Sequence, residues 1–170
     1  MLIAYKERRR RDLTAVLAAA LARSVAAHGA VAAAGAVVLV PVPSRAAAVR
    51  ERGTDTTRRL AAGAGRALRR AGIEARIEPV LCLSRDTTDS AGLGAPARRA
   101  NLSGAMAASS LPTGRWSSHP VVVVDDLVTT GATLAEAARA LAAVGPVTVL
   151  AAAMAATARR AGVGLDAVPR

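Results

Sequence analysis

The sequence predicts an α/β fold, a mostly parallel central sheet of four or five strands with helices on both faces. Three observations carry that prediction. Val37 to Val42, Val121 to Val124 and Val147 to Leu150 are short, β-branched and almost wholly apolar, as strands buried on both faces are. Leu13 to Val25 and Thr56 to Ala71 instead place their apolar residues at helical spacing. Finally, Val37 to Val42 ends at Pro41 and Pro43, and Val121 to Val124 ends at Asp125-Asp126, so both runs stop where an open α/β sheet binds ligands.

Taken in order, the chain opens with Met1 to Lys6, which has no cap before it. Asp12 can cap a helix that puts Leu13, Val16, Leu17, Leu21 and Val25 on one face and ends near His28-Gly29. The strand Val37 to Val42 follows. Behind it Ser44 to Gly53 reads as a loop carrying Arg45, Arg50 and Arg52, side chains suited to forking onto phosphate oxygens. In Thr56 to Ala71, Leu60, Ala64 and Leu68 face inward, while Gly63 and Gly65 lower helix propensity. Ile73 to Leu83 is expected to form one further strand. Ser84 to Gly104 has no periodicity and is predicted to be a lid loop, since long polar loops inside compact domains are usually functional. Gly92 to Ala97 fits a dinucleotide fingerprint only superficially, because it follows no strand directly and contains Pro96. Ser109 to Pro120 is a turn-rich connection with Trp116 as a packed anchor, and Ala151 to Arg170 trails off with Gly162, Gly164 and Pro169.

Composition narrows the function classes. The 170 residues are expected to form a single domain. With no Phe, one Trp and one Tyr, its core must be built from Ala, Val, Leu and Ile. The formal net charge of +11 points to an anionic partner, whether nucleotide, pyrophosphate or nucleic acid. Cys82 is the sole cysteine, which excludes an internal disulfide and a cysteine-built zinc site; within Val80 to Leu83 it reads as a buried structural thiol. His28 and His119 lie beside Gly29 and Pro120 and read as surface loop residues. Arg8 to Arg11 before Leu13 to Ala22 mimics a secretory signal, but Asp12 interrupts it and Arg23 closes the apolar run. The uncharged stretch Ser24 to Ser44 is broken by His28-Gly29, Gly35, Pro41 and Pro43. The expected location is therefore cytoplasmic.

The chemistry concentrates in Val121 to Leu134. Two adjacent carboxylates at the end of a buried strand should emerge at its carboxyl edge. The turn Thr129-Thr130-Gly131-Ala132-Thr133 then feeds a helix with Leu134, Ala138, Leu141 and Ala142 on one face, and Thr133 with Glu136 has capping-box spacing. A turn of small residues at a helix N-terminus offers N–H groups to phosphate, whereas the carboxylates suit hydroxyls or a metal bridging to phosphate. A ribose 5-phosphate satisfies both halves. The series of hydrophobic run, Asp125-Asp126, two residues, then Thr129 to Thr133 resembles the phosphoribosyl pyrophosphate (PRPP) motif of type I phosphoribosyltransferases.

Further stretches resemble the competence protein F (ComF) family: Tyr5-Lys6 with Arg11-Asp12-Leu13, Val40 to Pro43 leading to Arg50-Glu51-Arg52-Gly53, and Thr87 to Leu93 with Arg98, Asn101 and Gly104. The resemblance implies a type I phosphoribosyltransferase-like, Rossmann-like three-layer fold with a flexible lid at about 84–104. It implies Asp125 and Asp126 as catalytic residues on the ribose diol, and Thr129, Thr130, Gly131, Ala132 and Thr133 on the 5-phosphate. Arg45, Arg52 and Gly53 would hold pyrophosphate, Arg98 and Asn101 would belong to the lid, and Mg2+ would arrive on the oxygens of PRPP. Three departures stand out. Family members carry an N-terminal four-cysteine zinc ribbon, so this chain resembles a truncated member or one with a mis-assigned start. The family's Phe-Asn-Gln after Arg-Gly is Thr54-Asp55-Thr56 here, and Ser90 replaces the glutamine before the lid Gly-Leu. Two functions follow from the resemblance: transfer of phosphoribosyl from PRPP to a nitrogen acceptor, or a non-catalytic DNA-uptake module that binds single-stranded DNA or a helicase partner. Base stacking in the second needs aromatic platforms, for which Tyr5 and Trp116 are the candidates.

Overall fold

The computed structural model describes residues 11–84, 95–111, 113–145 and 147–156. Tyr5, Lys6, most of the expected lid and everything beyond Ala156 lie outside the described residues. A 3-10 turn, Arg11–Leu13, leads into helix α1 (Thr14–Ala26), followed by α2 (Gly29–Ala34), β1 (Ala36–Pro41), α3 (Ala46–Arg52), α4 (Thr56–Arg70), β2 (Glu74–Ile77) and β3 (Leu81–Leu83). Then come α5 (Ala95–Leu102), β4 (Met106–Ala108), β5 (Val121–Val128), α6 (Ala132–Ala142) and β6 (Val149–Ala156).

Four strands form one parallel sheet in the order β2-β1-β5-β6, and β3 pairs with β4 as a separate antiparallel ribbon. The valine runs are strands for the expected reason: every residue of β1 is buried, as are Val121 to Val124. Val37, Leu39, Val122 and Val124 face Leu17, Leu21 and Val25 of α1 and Leu60, Ala64 and Leu68 of α4. Val38, Val40, Val121 and Val123 face the opposite layer, built from Ala137, Ala140 and Leu141 of α6 with Leu81, Met106 and Trp116. The expected three-layer α/β architecture is present.

Several local expectations need correcting. Ile73 to Leu83 is not one strand. The last bond from β2 to β1 is Glu78 N–H to Leu39 O at 2.9 Å; Pro79 has no N–H to continue the ladder, and the chain leaves to form the β3-β4 ribbon. Only one face of that ribbon is covered, so Leu81 is buried while Cys82 is exposed, against the expectation of a buried thiol. The described end of the expected lid, 95–102, is helix α5. Of the expected strand Val147 to Leu150, Val147 and Thr148 lie before the strand, which begins at Val149 and runs to Ala156 because β5 continues to Val128 and pairs with it. Helix α1 starts at Thr14 with Leu13 at the cap position and no side-chain cap bond, Asp12 lying instead in the 3-10 lead-in. Val16, expected to face inward, is 56% exposed.

Gly63 and Gly65 have a packing role that outweighs their low propensity. A Cβ built on Gly63 would lie 2.6 Å from the Cβ of Ala18, and one on Gly65 2.7 Å from Cδ1 of Ile77. Their hydrogens let α4 sit directly against α1 and β2, which closes the layer beneath the sheet.

Candidate functional site

The end of β1 creates the site. Pro41 and Pro43 cannot donate to a ladder, so β1 stops pairing with β5 at Pro41 opposite Val124, with one further bond from Val42 N–H to Val124 O at 3.0 Å. β5 meanwhile continues with β6 on its other side, Asp125 opposite Ala153 and Leu127 opposite Ala155. Beyond Val124, β5 therefore has a strand on one flank and an opening on the other. A cleft of about 280 Å³ lies at this carboxyl edge.

The cleft brings Arg45 and Arg52 together with Asp125, Asp126 and Thr133, as the shared-edge expectation requires. Ser44 and Thr57, which were not among the expected site residues, also line it. Asp125 and Asp126 are 8% and 5% exposed, so the strand end presents them in a recess and not in open water. Asp125 Oδ1 accepts the backbone N–H of Asp126 at 2.8 Å, which holds the first carboxylate against its own strand.

The arginine segment is a short helix, not the expected loop. Helix α3 buries none of its residues, and Gly53 closes it in the left-handed conformation at φ 68°. What ties it down lies at its flanks. Ser44, just before α3, donates its hydroxyl to Asp55 Oδ1 at 3.0 Å; the same oxygen accepts the Arg58 N–H at 3.1 Å and so caps α4. Asp55 thereby joins the two ends of the arginine helix. The hydroxyl-rich start Asp55-Thr56-Thr57 carries an N-cap signature that could have pointed to this knot from the sequence. Two buried polar atoms nearby, Arg52 Nε and Thr56 Oγ1, have no hydrogen-bond partner. Buried polar groups are nearly always satisfied, so an orphaned guanidinium nitrogen on a cleft-lining arginine marks a place for an acceptor.

The hydroxyl turn follows β5 directly. Gly131 takes φ 77° at the N-cap of α6, a conformation that side-chain-bearing residues rarely adopt. Thr130 Oγ1 accepts the Ala132 N–H at 3.3 Å and folds the turn back onto the helix start. Of the five residues expected on phosphate, Thr133 lines the cleft; Thr129, Thr130 and Gly131 precede α6, Ala132 is its first residue, and none of these four is among the lining residues. Gly53 also lies outside the lining, as the cap of α3. Arg98 and Asn101 are on α5, and Asn101 is not among the cleft residues.

The capping-box reading of Thr133 and Glu136 fails, because α6 starts at Ala132 and has no side-chain cap bond. Glu136 is buried and turned toward the ribbon, where its Oε1 accepts the Met106 N–H at 3.0 Å. Arg139 donates to both Glu136 oxygens, at 2.9 and 2.8 Å, and to Met106 O at 2.7 Å. The pair takes the place of a neighbouring strand for β4. The Arg139 guanidinium, foremost, with the Met106 and Gly104 N–H groups, holds the Glu136 carboxyl below its ordinary pKa against the opposing effect of burial.

Trp116 is buried as expected, with the Arg115 guanidinium 4.9 Å over its ring and His119 edge-on at 5.3 Å. His28 Nε2 lies 3.0 Å from Ala151 O. Among the described residues no group of three or more His, Cys, Asp and Glu could hold a metal ion, and no helix is long and apolar enough to cross a membrane.

Residues 91–166 match the phosphoribosyl transferase domain family. That span contains Asp125, Asp126 and the hydroxyl turn but stops short of β1 and the arginine helix. Together with the parallel sheet it supports a type I phosphoribosyltransferase-like family and phosphoribosyl transfer as the general activity. No curated protein matches the chain in the comparison made.

Proposed function

We propose that the chain binds PRPP with Mg2+ in the cleft between β1 and β5 and transfers its phosphoribosyl group to a nitrogen acceptor, releasing pyrophosphate, as a ComF-type phosphoribosyltransferase. The observation that carries this reading is the meeting of Arg45 and Arg52 with Asp125 and Asp126 in one recess at the carboxyl edge. A donor with hydroxyls at one end and pyrophosphate at the other needs both kinds of partner. The ComF assignment itself rests on the resemblance of Val40 to Gly53 and of the stretch around Arg98 and Asn101.

In this reading the carboxylates of Asp125 and Asp126 accept from the ribose hydroxyls and lie near the positive charge that builds at C1 as its bond to pyrophosphate breaks. Arg52 Nε, the orphaned donor, and the Arg45 guanidinium receive the pyrophosphate oxygens. Thr133 and the N-terminus of α6 receive the 5-phosphate. Buried carboxylate oxygens beside a phosphate subsite also suit a hard divalent cation that keeps few protein ligands. Mg2+ supplies neutralisation of the leaving pyrophosphate. The rest is positioning and electrostatics.

Titration calorimetry with PRPP, with and without Mg2+, tests the reading. Binding is expected, and Arg52→Gln should weaken it by roughly ten- to a hundred-fold, the worth of a hydrogen bond to a charged group. No binding by the parent at millimolar PRPP would overturn the proposal.

A further inference from the structure

The outward face of α4 carries a row of arginines that the cleft does not use. Arg58, Arg59, Arg66, Arg69 and Arg70 are all exposed, while Leu60, Ala61, Ala64 and Leu68 of the same helix are buried in the core. The core fixes the helix's rotation, and at 3.6 residues per turn the five arginines fall within roughly a third of the circumference. They extend about 18 Å along the helix axis.

These charges are not balanced locally. Helix α4 contains no acidic residue, and Asp55 at its start is engaged by Ser44 and the Arg58 N–H. The ion pairs found among the described residues lie elsewhere, Glu136 with Arg139, Glu74 with Arg115 and Glu78 with Arg76. Within the row, Arg69 donates to Ala75 O at 2.6 Å and ties the helix to β2. Arg58, Arg59, Arg66 and Arg70 make no ion pair among the described residues. Four like charges on one helix face repel one another, a cost that an extended polyanion removes.

From this face we infer a second binding surface, one that takes the phosphate backbone of double-stranded nucleic acid without reading its sequence. The row spans roughly five base pairs of rise, so its two ends, Arg58–Arg59 and Arg66–Arg70, can reach separate phosphates. Three features favour a duplex over other anionic partners. Neither α1 nor α4 has an aromatic side chain on which unpaired bases could stack. The leucines of α4 are buried, which leaves the arginine face without the apolar side chains that an interfacial membrane helix inserts. The apolar groove lined by Val16, Ala67 and Ala71 lies between α1 and α4 and is not part of the row, so an acidic protein seated on the row itself would lack anchoring residues. This surface is independent of the PRPP reading and stands or falls without it.

The test is fluorescence anisotropy of the full chain with a labelled 20-base-pair duplex of arbitrary sequence, across a salt series. Log K should fall linearly with log salt at a slope of about −3.6 for four engaged arginines. The triple variant Arg59→Gln, Arg66→Gln, Arg70→Gln should reduce the magnitude of the slope by roughly three, one per lost phosphate contact. The variant with Lys at those three positions should keep the slope. Arg69 is left in place because of its bond to Ala75, and the three exchanged side chains hold no part of the fold. The inference is overturned by absence of duplex binding at low salt, or by a Gln variant that binds as the parent does. Tighter binding to an oligothymidine strand, to vesicles containing phosphatidylglycerol or to an acidic peptide would overturn it equally.

Discussion

Glu136→Gln is the most exacting test of how the site is supported, because the effect can be worked out atom by atom. Glu136 is 6% exposed and accepts three hydrogen bonds, two from Arg139 and one from the Met106 N–H. A glutamine keeps one acceptor oxygen, which can serve Met106 N–H and Arg139 Nη2, but its amide then turns N–H toward the Nε–H of Arg139. One charge-assisted bond is lost, worth ~1.5 to 3 kcal/mol. The Arg139 side chain is 49% exposed, so solvent screening places the expected cost at the lower end, about 1.5 kcal/mol. The sign of the pH dependence follows from the lowered carboxyl pKa. The contribution is fully present above the unfolded-state pKa, near 4.3, and is lost as pH falls through the lower folded-state value. Urea denaturation at pH 7 should therefore show the variant less stable, and the gap to the parent should narrow as pH falls below the unfolded-state value. A variant as stable as the parent at pH 7, or a gap that does not change with acid, would refute the account.

Other perturbations address the arginine helix, the strand end and the layer beneath the sheet. Asp55→Ala should cost ~1 kcal/mol through the lost cap and should also weaken PRPP binding by releasing Ser44, whereas Asp55→Asn, which keeps an acceptor oxygen, should preserve both; thermal melts and calorimetry read the two effects. Gly63→Ala should destabilise by ~1 kcal/mol in chemical denaturation, because a contact at 2.6 Å overpacks by more than the improved helix propensity returns. Asp126→Asn should leave the unfolding midpoint nearly unchanged and weaken PRPP roughly ten- to a hundred-fold by calorimetry. Asp125→Ala should instead lower stability by ~1 kcal/mol in the same melts, since it removes the acceptor of the Asp126 N–H.

What could be read from the chain follows a physical divide. Val37 to Val42 and Val121 to Val124 were legible because a strand buried on both faces leaves an unbroken apolar signature, and Pro41, Pro43 and the paired aspartates mark where it stops. The helix over Thr56 to Ala71 was legible from its inward leucines. Tertiary partners were not. Glu136 stands at capping-box spacing from Thr133, yet the unpaired edge of β4 makes a stronger demand on it than the first turn of α6 does. Gly63 and Gly65 look like weaknesses until Ala18 and Ile77 are seen against them. Cys82 sits in an apolar run that reads as core, but Pro79 diverts the run into a ribbon covered on one side. In the site, the residue types at the end of β5 could be read from the motif, whereas Ser44, Asp55 and Thr57 join it only because α3 folds back between them.

The cleft concentrates buried polar groups in a way that bears on how it works. Arg52 Nε and Thr56 Oγ1 are buried without partners, and each such atom costs ~1 to 3 kcal/mol against a satisfied state. Asp125 and Asp126 stand side by side at a strand end, nearly as buried as the core valines that precede them. Helix α3, which presents the arginines, buries none of its own residues and depends on the Ser44–Asp55 bond. A stable fold tolerates these costs because the apolar clusters on both faces of the sheet are large and touch the recess through little more than Val42. In the proposed reading, a phosphate oxygen that reaches Arg52 Nε gives this buried donor an acceptor, so part of the binding energy comes from satisfying it. On that reading, the arginine side of the cleft is thus where ligand and stability should be most tightly linked, and the carboxylate side, held by the sheet, is where a ribose diol would find its partners already placed.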